Sequence, residues 1–334
     1  MARDGWGERS SYAVIDCGPH GSSSGTHAHA DALSFEFSSG GHAWIVDPGT
    51  ACVAEGRVAR DACRLSAAHN TVVVNGRSQS EPAGSKGWAT EAQCEPHELV
   101  DAGGAVLFRG SHDGYGRLKN PVTHSRTMLM VRGDETLGLP GYLVLVDALR
   151  GEGLHGFTLR MQLGGGTASP VGRHRVEVDM CGEPLAVECH GRFVTRSRVE
   201  RGWVSRCYGA REEAPVAVFD ASGVGPGQLV SFVMPGASGR TVFRVEPQSV
   251  DRGHAFVIES GSARDMLVVE DLRGATAGGV PRETLLWARF VGGRITSVLR
   301  VEGDGPPGPA LTEEPAGRVE TAAGHVRARP AGHD

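Results

Sequence analysis

The chain has little of what many small functional modules depend on. Aromatic residues make up only 6% of its 334 positions, so it is poor in the exposed rings that would mark a carbohydrate-binding sandwich. Its seven cysteines, Cys17, Cys52, Cys63, Cys94, Cys181, Cys189 and Cys207, include no Cys-x-x-Cys pair. A zinc ribbon and a thioredoxin-like motif are therefore disfavoured. The odd count leaves at least one thiol free, and most read as small core residues that do not settle the redox compartment. No apolar run approaches the roughly 20 residues that a membrane-spanning helix needs. The opening residues 1–7 lack the apolar stretch of a secretory signal. With a formal net charge of −5, no global basic field points to nucleic acid. An acidic ligand would need local arginines. No run of about a dozen residues keeps a helical period, and no internal repeat is evident.

What remains is a sequence of short strands and tight turns. Glycine occurs 49 times, which suits many close turns. Strand-like runs recur at 11–16, 33–37, 43–47, 71–74, 105–109, 127–131, 142–147, 157–163, 175–178, 185–189, 216–219, 229–233, 242–245, 255–258 and 266–269. Turns rich in Gly, Asp and Pro separate them. Strands at this spacing without helices predict an all-β fold, a large antiparallel β-sandwich. The turn Ser38-Ser39-Gly40-Gly41 reads as a hairpin, and Asn75-Gly76 as a second turn. After Gly303 apolar periodicity ends. Residues 1–302 are thus expected as the β-sandwich domain and 303–334 as a disordered tail.

The most informative stretch is Gly25-Thr26-His27-Ala28-His29-Ala30-Asp31-Ala32-Leu33-Ser34-Phe35-Glu36-Phe37. If it is extended, His27, His29 and Asp31 share a face with Leu33, Phe35 and Phe37. Ionisable groups at the mouth of a core-facing row are costly to bury unpartnered, so they read as a site. Two further blocks follow, Trp44-Ile45-Val46-Asp47-Pro48-Gly49-Thr50 and Ala68-His69-Asn70-Thr71-Val72-Val73-Val74-Asn75-Gly76. Together the three blocks resemble the C-terminal β-sandwich of the heparinase II/III family of polysaccharide lyases. The family pattern runs GHxHADxLSF, DPGT, an arginine-rich stretch, then AHNTVxVDG. The resemblance covers the first 76 or so residues well. Tyr142 to Asp147 with Gly151 and His155, and Gly202-Trp203-Val204-Ser205 with Tyr208-Gly209, agree more loosely.

The resemblance implies a supersandwich-like fold and a set of site residues. His29, Asp47 and His69 match the family's zinc ligands. Two imidazoles and a carboxylate suit Zn²⁺ and leave a fourth position for water or substrate. The bland reading makes the histidines hydrogen-bonded core residues and Asp47 the cap of a turn. For Asp47 to share the face of His29, the hairpin needs an odd-length turn or a bulge. His27 matches the cleft histidine that assists elimination, chemistry suited to a group titrating near neutrality. A structural hydrogen bond is the alternative. Arg57, Arg60 and Arg64 precede His69. Arg60 and Arg64 are candidates to bind an acidic sugar bidentately, set against a merely solvated charged face. Asp31 and Asn70 are expected as supporting groups.

The departures matter too. Many relatives place a tyrosine shortly after DPGT, where this chain has Ala51 and Cys52. The family's proton-transfer tyrosine lies in an N-terminal helical toroid, and nothing here resembles that toroid. The family also places a segment like residues 1–7 deep within the full protein. The chain is therefore expected to be a C-terminal piece lacking the toroid, weakly active or inactive alone. Its expected ligand is an acidic polysaccharide, and the family implies a periplasmic or extracellular setting. Two other functions compete. His29-Ala30-Asp31 with His69 also satisfies the HxD…H triad of an Fe(II) oxygenase, with Arg77 to bind an oxo-acid. A non-catalytic carbohydrate-binding sandwich is the third.

Overall fold

The computed structural model describes residues 1–21, 27–50, 57–84, 87–134, 136–207, 209–236, 243–250, 253–270, 283–303, 318–321 and 324–327. Two compact units emerge, Met1–Asp101 with Ala105–Arg240, and Ala102–Gly104 with Thr241–Asp334. The expected 1–302 span covers parts of both.

In the first unit β1 (Ala2–Arg3), β2 (Tyr12–Ile15), β3 (Phe35–Ser39) and β4 (His42–Ile45) form an antiparallel sheet in that order. A short helix α1 (Arg57–Arg64) and a 3₁₀ turn (Ser66–Ala68) lead into β5 (Val72–Val74). A small hairpin follows, β6 (Glu81–Ala83) with β7 (Gly87–Thr90). Then come β8 (Cys94–Asp101), β9 (Ala105–His112), β10 (Val122–Val131), β11 (Tyr142–Gly151), β12 (Leu154–Gln162), β13 (Thr167–Val171), β14 (Arg175–Met180), β15 (Glu183–His190), β16 (Val194–Val204), β17 (Glu212–Val224) and β18 (Gly227–Pro235). One sheet has eight strands in the order β13-β14-β15-β18-β11-β10-β9-β8, and another has four, β16-β17-β12-β5. All the pairings are antiparallel, as expected.

The core lies between these layers. Period-2 alternation turns Met128 and Met130 of β10 and Leu143 and Leu145 of β11 inward. They meet Phe157, Leu159 and Met161 of β12 and Phe35 and Phe37 of β3 in one apolar cluster. Burying side chains of this size contributes roughly 1.5–3 kcal/mol each.

The second unit is a five-stranded meander, β19 (Arg244–Gln248), β20 (His254–Ser260), β21 (Ala263–Val269), β22 (Leu285–Val291) and β23 (Arg294–Val301). The expected disordered tail falls largely on residues 304–317 and 328–334, outside the described set. Within it β24 (Arg318–Thr321) pairs with β25 (Gly324–Arg327).

Two local details position the site. The β3–β4 hairpin turns through Gly40 and Gly41, both at positive φ (65° and 89°), the conformation of a two-residue type I′ turn. Its register then slips, with Ser38 facing Ala43 but Phe37 facing Ile45. Trp44 is the extra residue, so of the two devices considered for this hairpin, an odd-length turn or a bulge, the bulge is present. The second detail is a correction. The stretch from His27 to Ser34 is not extended, because Leu33 sits at φ 60° and the Ser34 N–H returns to the Asp31 carbonyl. Alternation begins only at Phe35, so His29 and Asp31 reach the site from a loop.

Candidate metal centre

Three separate segments converge on one point. The His29–Asp31 loop is held at its middle residue. The Ala30 N–H donates to the Arg64 carbonyl at 2.8 Å, and the Ala30 carbonyl accepts from Ser66 Oγ at 2.6 Å. The Ala32 carbonyl accepts from Thr71 Oγ1 and Gln79 Nε2. His29 and Asp31, on either side of Ala30, are thereby set against His69. The side-chain donor atoms of His29, Asp31 and His69 lie within 4.8 Å of one another, and the two imidazole centroids are 5.1 Å apart. His29 Nε2 also lies 3.5 Å from Thr50 Oγ1.

Asp47 reaches the same place from β4. Its Oδ1 accepts the Gly49 N–H at 2.8 Å, and its Oδ2 accepts from His69 Nδ1 at 2.7 Å. The fully buried His69 thus presents Nε2 as its remaining nitrogen. That atom is buried with no partner among the described residues. A buried, unpaired imidazole nitrogen beside a second imidazole and a carboxylate fits a bound cation, which would satisfy it. Asp47, read from the family pattern as a ligand, bonds the Nδ1 side of His69, while the donor atoms of Asp31, expected as a supporting group, lie near those of His29 and His69.

Charge shapes the cluster. Burial lowers the pKa of His29, and the neighbouring His69 adds to this against the pull of Asp31 and Asp47. Burial raises Asp31, with Asp16 and Asp47 in support and the histidines opposing. His69 is pulled down by burial, yet its hydrogen bond and charge contact with Asp47, with help from Asp31, leave it raised overall. Asp47 is lowered despite burial, by His69 and the Gly49 N–H. Neutral imidazole at His29 is the form that ligates a metal.

The remaining expected residues fall around this centre. His27 is exposed at the start of the loop. Arg60 is half-buried on α1. Arg64 is turned inward. It is 2% exposed, bonds Asp61 at 2.8 Å, donates to the carbonyls of Gly84 and Gly87 and lies over the Trp88 ring. Asn70 does not orient His69 through its side chain. Its Nδ2 donates to the Phe35 and Val46 carbonyls, and its Oδ1 accepts from the Gln162 N–H. One side chain thus ties β3, the end of β4 and β12 together directly behind the cluster.

Sequence reasoning missed the buried network beneath. β10 turns His124 and Arg126 to the core face, and Arg126 pairs across to Asp147 of β11. Arg126 Nε and Nη2 bind Asp147 at 2.7 and 3.1 Å. Its Nη1 donates to the carbonyls of Leu33 and Asn70 at 2.6 and 2.7 Å. One guanidinium therefore anchors both the His29–Asp31 loop and the His69 segment, and holds Leu33 in its left-handed conformation. His112 Nδ1 accepts the Gly114 N–H, so its Nε2 donates to His124 Nδ1 at 2.9 Å. His124 Nε2 then donates to Asp147 at 2.8 Å. Arg126 and His124 hold the Asp147 carboxyl down to about 2 against a strong opposing effect of burial. The readable signal was polar residues on the core-facing positions of an apolar strand.

Comparison with known proteins shows the family and the fold. The sequence profile described as "Heparinase II/III-like, C-terminal" matches residues 3–255, and the chain belongs to that family. The fold is shared with solved structures. One is a heparinase III, the BT4657 gene product, with TM-score 0.60 and 20% identity over 78% of this chain and 38% of that one. Another is the heparan sulfate lyase HepC of Pedobacter heparinus, with TM-score 0.64 and 17% identity over 80% of this chain and 40% of that one. A further heparinase III gives 0.61 and 16%, over 79% and 40%. The chain thus spans about two fifths of the length of the solved proteins it matches. No curated protein sequence matches it. No helix among the described residues is long and apolar enough to cross a membrane.

Proposed function

We propose that this chain forms the sandwich-side wall of a polysaccharide lyase cleft, acting by β-elimination on a uronate-containing polymer and carrying a zinc site beside the cleft. The observation that carries the reading is the convergence of the three family-like blocks on the buried His69 imidazole, whose Nε2 has no partner among the described residues. His29, Asp31 and His69 hold the zinc, and Asp47 keeps the Nδ1 proton of His69 in place so that Nε2 faces the metal. When bound, zinc supplies fixed positive charge near the cleft.

Elimination requires three things of the cleft. The uronate carboxylate must be neutralised, the C5 proton removed and the departing O4 protonated. His27, exposed and next to the cluster in sequence, is suited to hold or pass a proton at its imidazole nitrogen. Arg60 is placed to meet an acidic group from α1. Arg64, engaged with Asp61 and two carbonyls, shapes the loop through its own carbonyl. Asn70 fixes the strands beneath. The rest of the proton-transfer machinery, with a tyrosine, belongs to a companion helical toroid domain.

The donor group His29, Asp31 and His69 also matches the two-His-one-carboxylate set of an Fe(II) oxygenase. Membership of the heparinase II/III-like family weighs against that reading. The test is incubation of the purified chain, loaded with zinc, with heparan-type and other uronate polymers. Expected are salt-sensitive binding, weakened in Arg60→Ala, and little or no unsaturated product in the ultraviolet. Absence of binding, or 2-oxo-acid-dependent turnover with iron, overturns the reading of this chain as the wall of a lyase cleft. Robust elimination by the chain alone overturns the need for a companion domain.

A further inference from the structure

Outside the metal centre, two thiols meet at the edge of the sandwich. Cys17 follows β2, and Cys94 opens β8, the edge strand of the eight-stranded sheet. The β8–β9 register sets Cys94 against His112 and Pro96 against Gly110. Cys94, Pro96 and Gly110 therefore share one face. That face is open at Gly110, where an added Cβ would lie 2.9 Å from Cys17 Sγ. The sulfur of Cys17, with the Phe108 ring beside it, occupies the place a side chain would take, diagonal to Cys94 on the same face. The two thiols are close enough to act on each other's titration. Both residues are half-buried, within reach of a small reagent.

We propose that Cys17 and Cys94 are a redox-active dithiol that closes to a disulfide by exchange with a small-molecule disulfide. Cys94, the largest influence on Cys17, lowers its pKa against burial and the charges of Asp16 and Glu95. Cys17 is thus the attacking thiolate. It displaces one thiol from the reagent disulfide, that thiol leaves with the electron pair and takes up a proton, and Cys17 carries a mixed disulfide. Cys94 is raised by the neighbouring Cys17 and by burial. Loss of the Cys17 negative charge removes part of what keeps it protonated. Cys94 then gives up its proton and attacks the Cys17 sulfur, and the second reagent thiol leaves. Two protein thiols are oxidised and one reagent disulfide is reduced to two thiols.

The bond would reach the metal centre through one residue. The Asp16 carbonyl accepts the Leu33 N–H, and the Asp16 N–H donates to the Ser34 carbonyl, both at 2.8 Å. Tying Cys17 to β8 therefore clamps the loop that carries His29 and Asp31. The other described cysteines differ. Cys63 and Cys189 are buried, the Cys189 thiol being pushed up to about 12, chiefly by burial, while Cys181 and Cys207 are exposed.

The full chain is incubated with oxidised glutathione, blocked with iodoacetamide, digested and read by mass spectrometry. The expected product is the Cys17 peptide joined to the Cys94 peptide, and dithiothreitol abolishes it. Reduction also lowers the melting midpoint by about 5 °C, and this reduction-dependent shift vanishes in Cys17→Ser. Recovery of both cysteines alkylated overturns the proposal. So does glutathione retained on Cys17 beside an alkylated Cys94, or a reduction-dependent shift that persists in Cys17→Ser.

Discussion

His69 donates its Nδ1 proton to Asp47 Oδ2 at 2.7 Å, and this bond decides how the centre is used. It fixes the tautomer of a fully buried imidazole and leaves Nε2 toward His29 and Asp31. A carboxylate behind a ligating histidine sets its orientation and basicity. We therefore propose different roles for the two acids, and substitution separates them.

Asp47→Asn is expected to weaken zinc binding about 10–100-fold while the fold is kept. Asp31→Ala, which removes a donor, should weaken it further. Competition against a chromophoric chelator measures both. The opposite order would assign the ligand role to Asp47.

Arg126 holds two site segments and a buried carboxylate at once. Arg126→Met leaves the buried Asp147 with His124 alone as its side-chain partner and strips donors from the Leu33 and Asn70 carbonyls. The expected loss is about 3–5 kcal/mol in denaturant unfolding. A loss under about 1 kcal/mol would show that the network is dispensable.

The buried histidines predict a pH dependence of stability. Burial lowers the pKa of His112 well below its ordinary value, and the charges of His124 and Arg126 add to this. Burial also lowers His124, against the pull of Asp147. The unfolded chain protonates these residues below about pH 6.5, and the folded chain resists. Their stabilising contribution is therefore complete above that pH and declines as pH falls below it. Urea midpoints at pH 7.5 and 5.5 should show the decline, and His112→Asn should reduce it. An equal decline in the variant would place the effect elsewhere.

Much of this was legible in the chain. The antiparallel sandwich followed from short apolar runs and glycine-rich turns, whereas the bulge at Trp44 was only one of two devices considered for the β3–β4 hairpin. The extended reading of 27–34 failed because Asp16 and Arg126, both distant in sequence, hold Leu33 in a turn that Leu does not favour by itself. Among the strands not expected, 94–101, 167–171, 194–204 and 294–301 are sheet edges, whereas 285–291 lies inside its sheet. Edge strands carry charge and proline in place of an alternating apolar pattern. Arg64 pairs locally with Asp61, three residues earlier on α1, but only the fold brings the Gly84 and Gly87 carbonyls to it.

The turn after Asp47 offers a stability test. Gly49 has φ 69°, and a Cβ there would lie 2.5 Å from the Ser205 carbonyl oxygen. Gly49→Ala is expected to cost about 1–3 kcal/mol and, by moving Asp47, to weaken zinc binding as well. Thermal unfolding with and without zinc reads both effects. An unchanged midpoint would mean the turn has room to relax.

Metal content tests the central claim most directly. After dialysis against zinc and then buffer, plasma mass spectrometry of the purified chain should find about one zinc per molecule. His29→Ala and His69→Ala, shown by circular dichroism to keep their β structure, should retain essentially none. A zinc-free chain, or variants that hold as much zinc as the parent, would contradict the account.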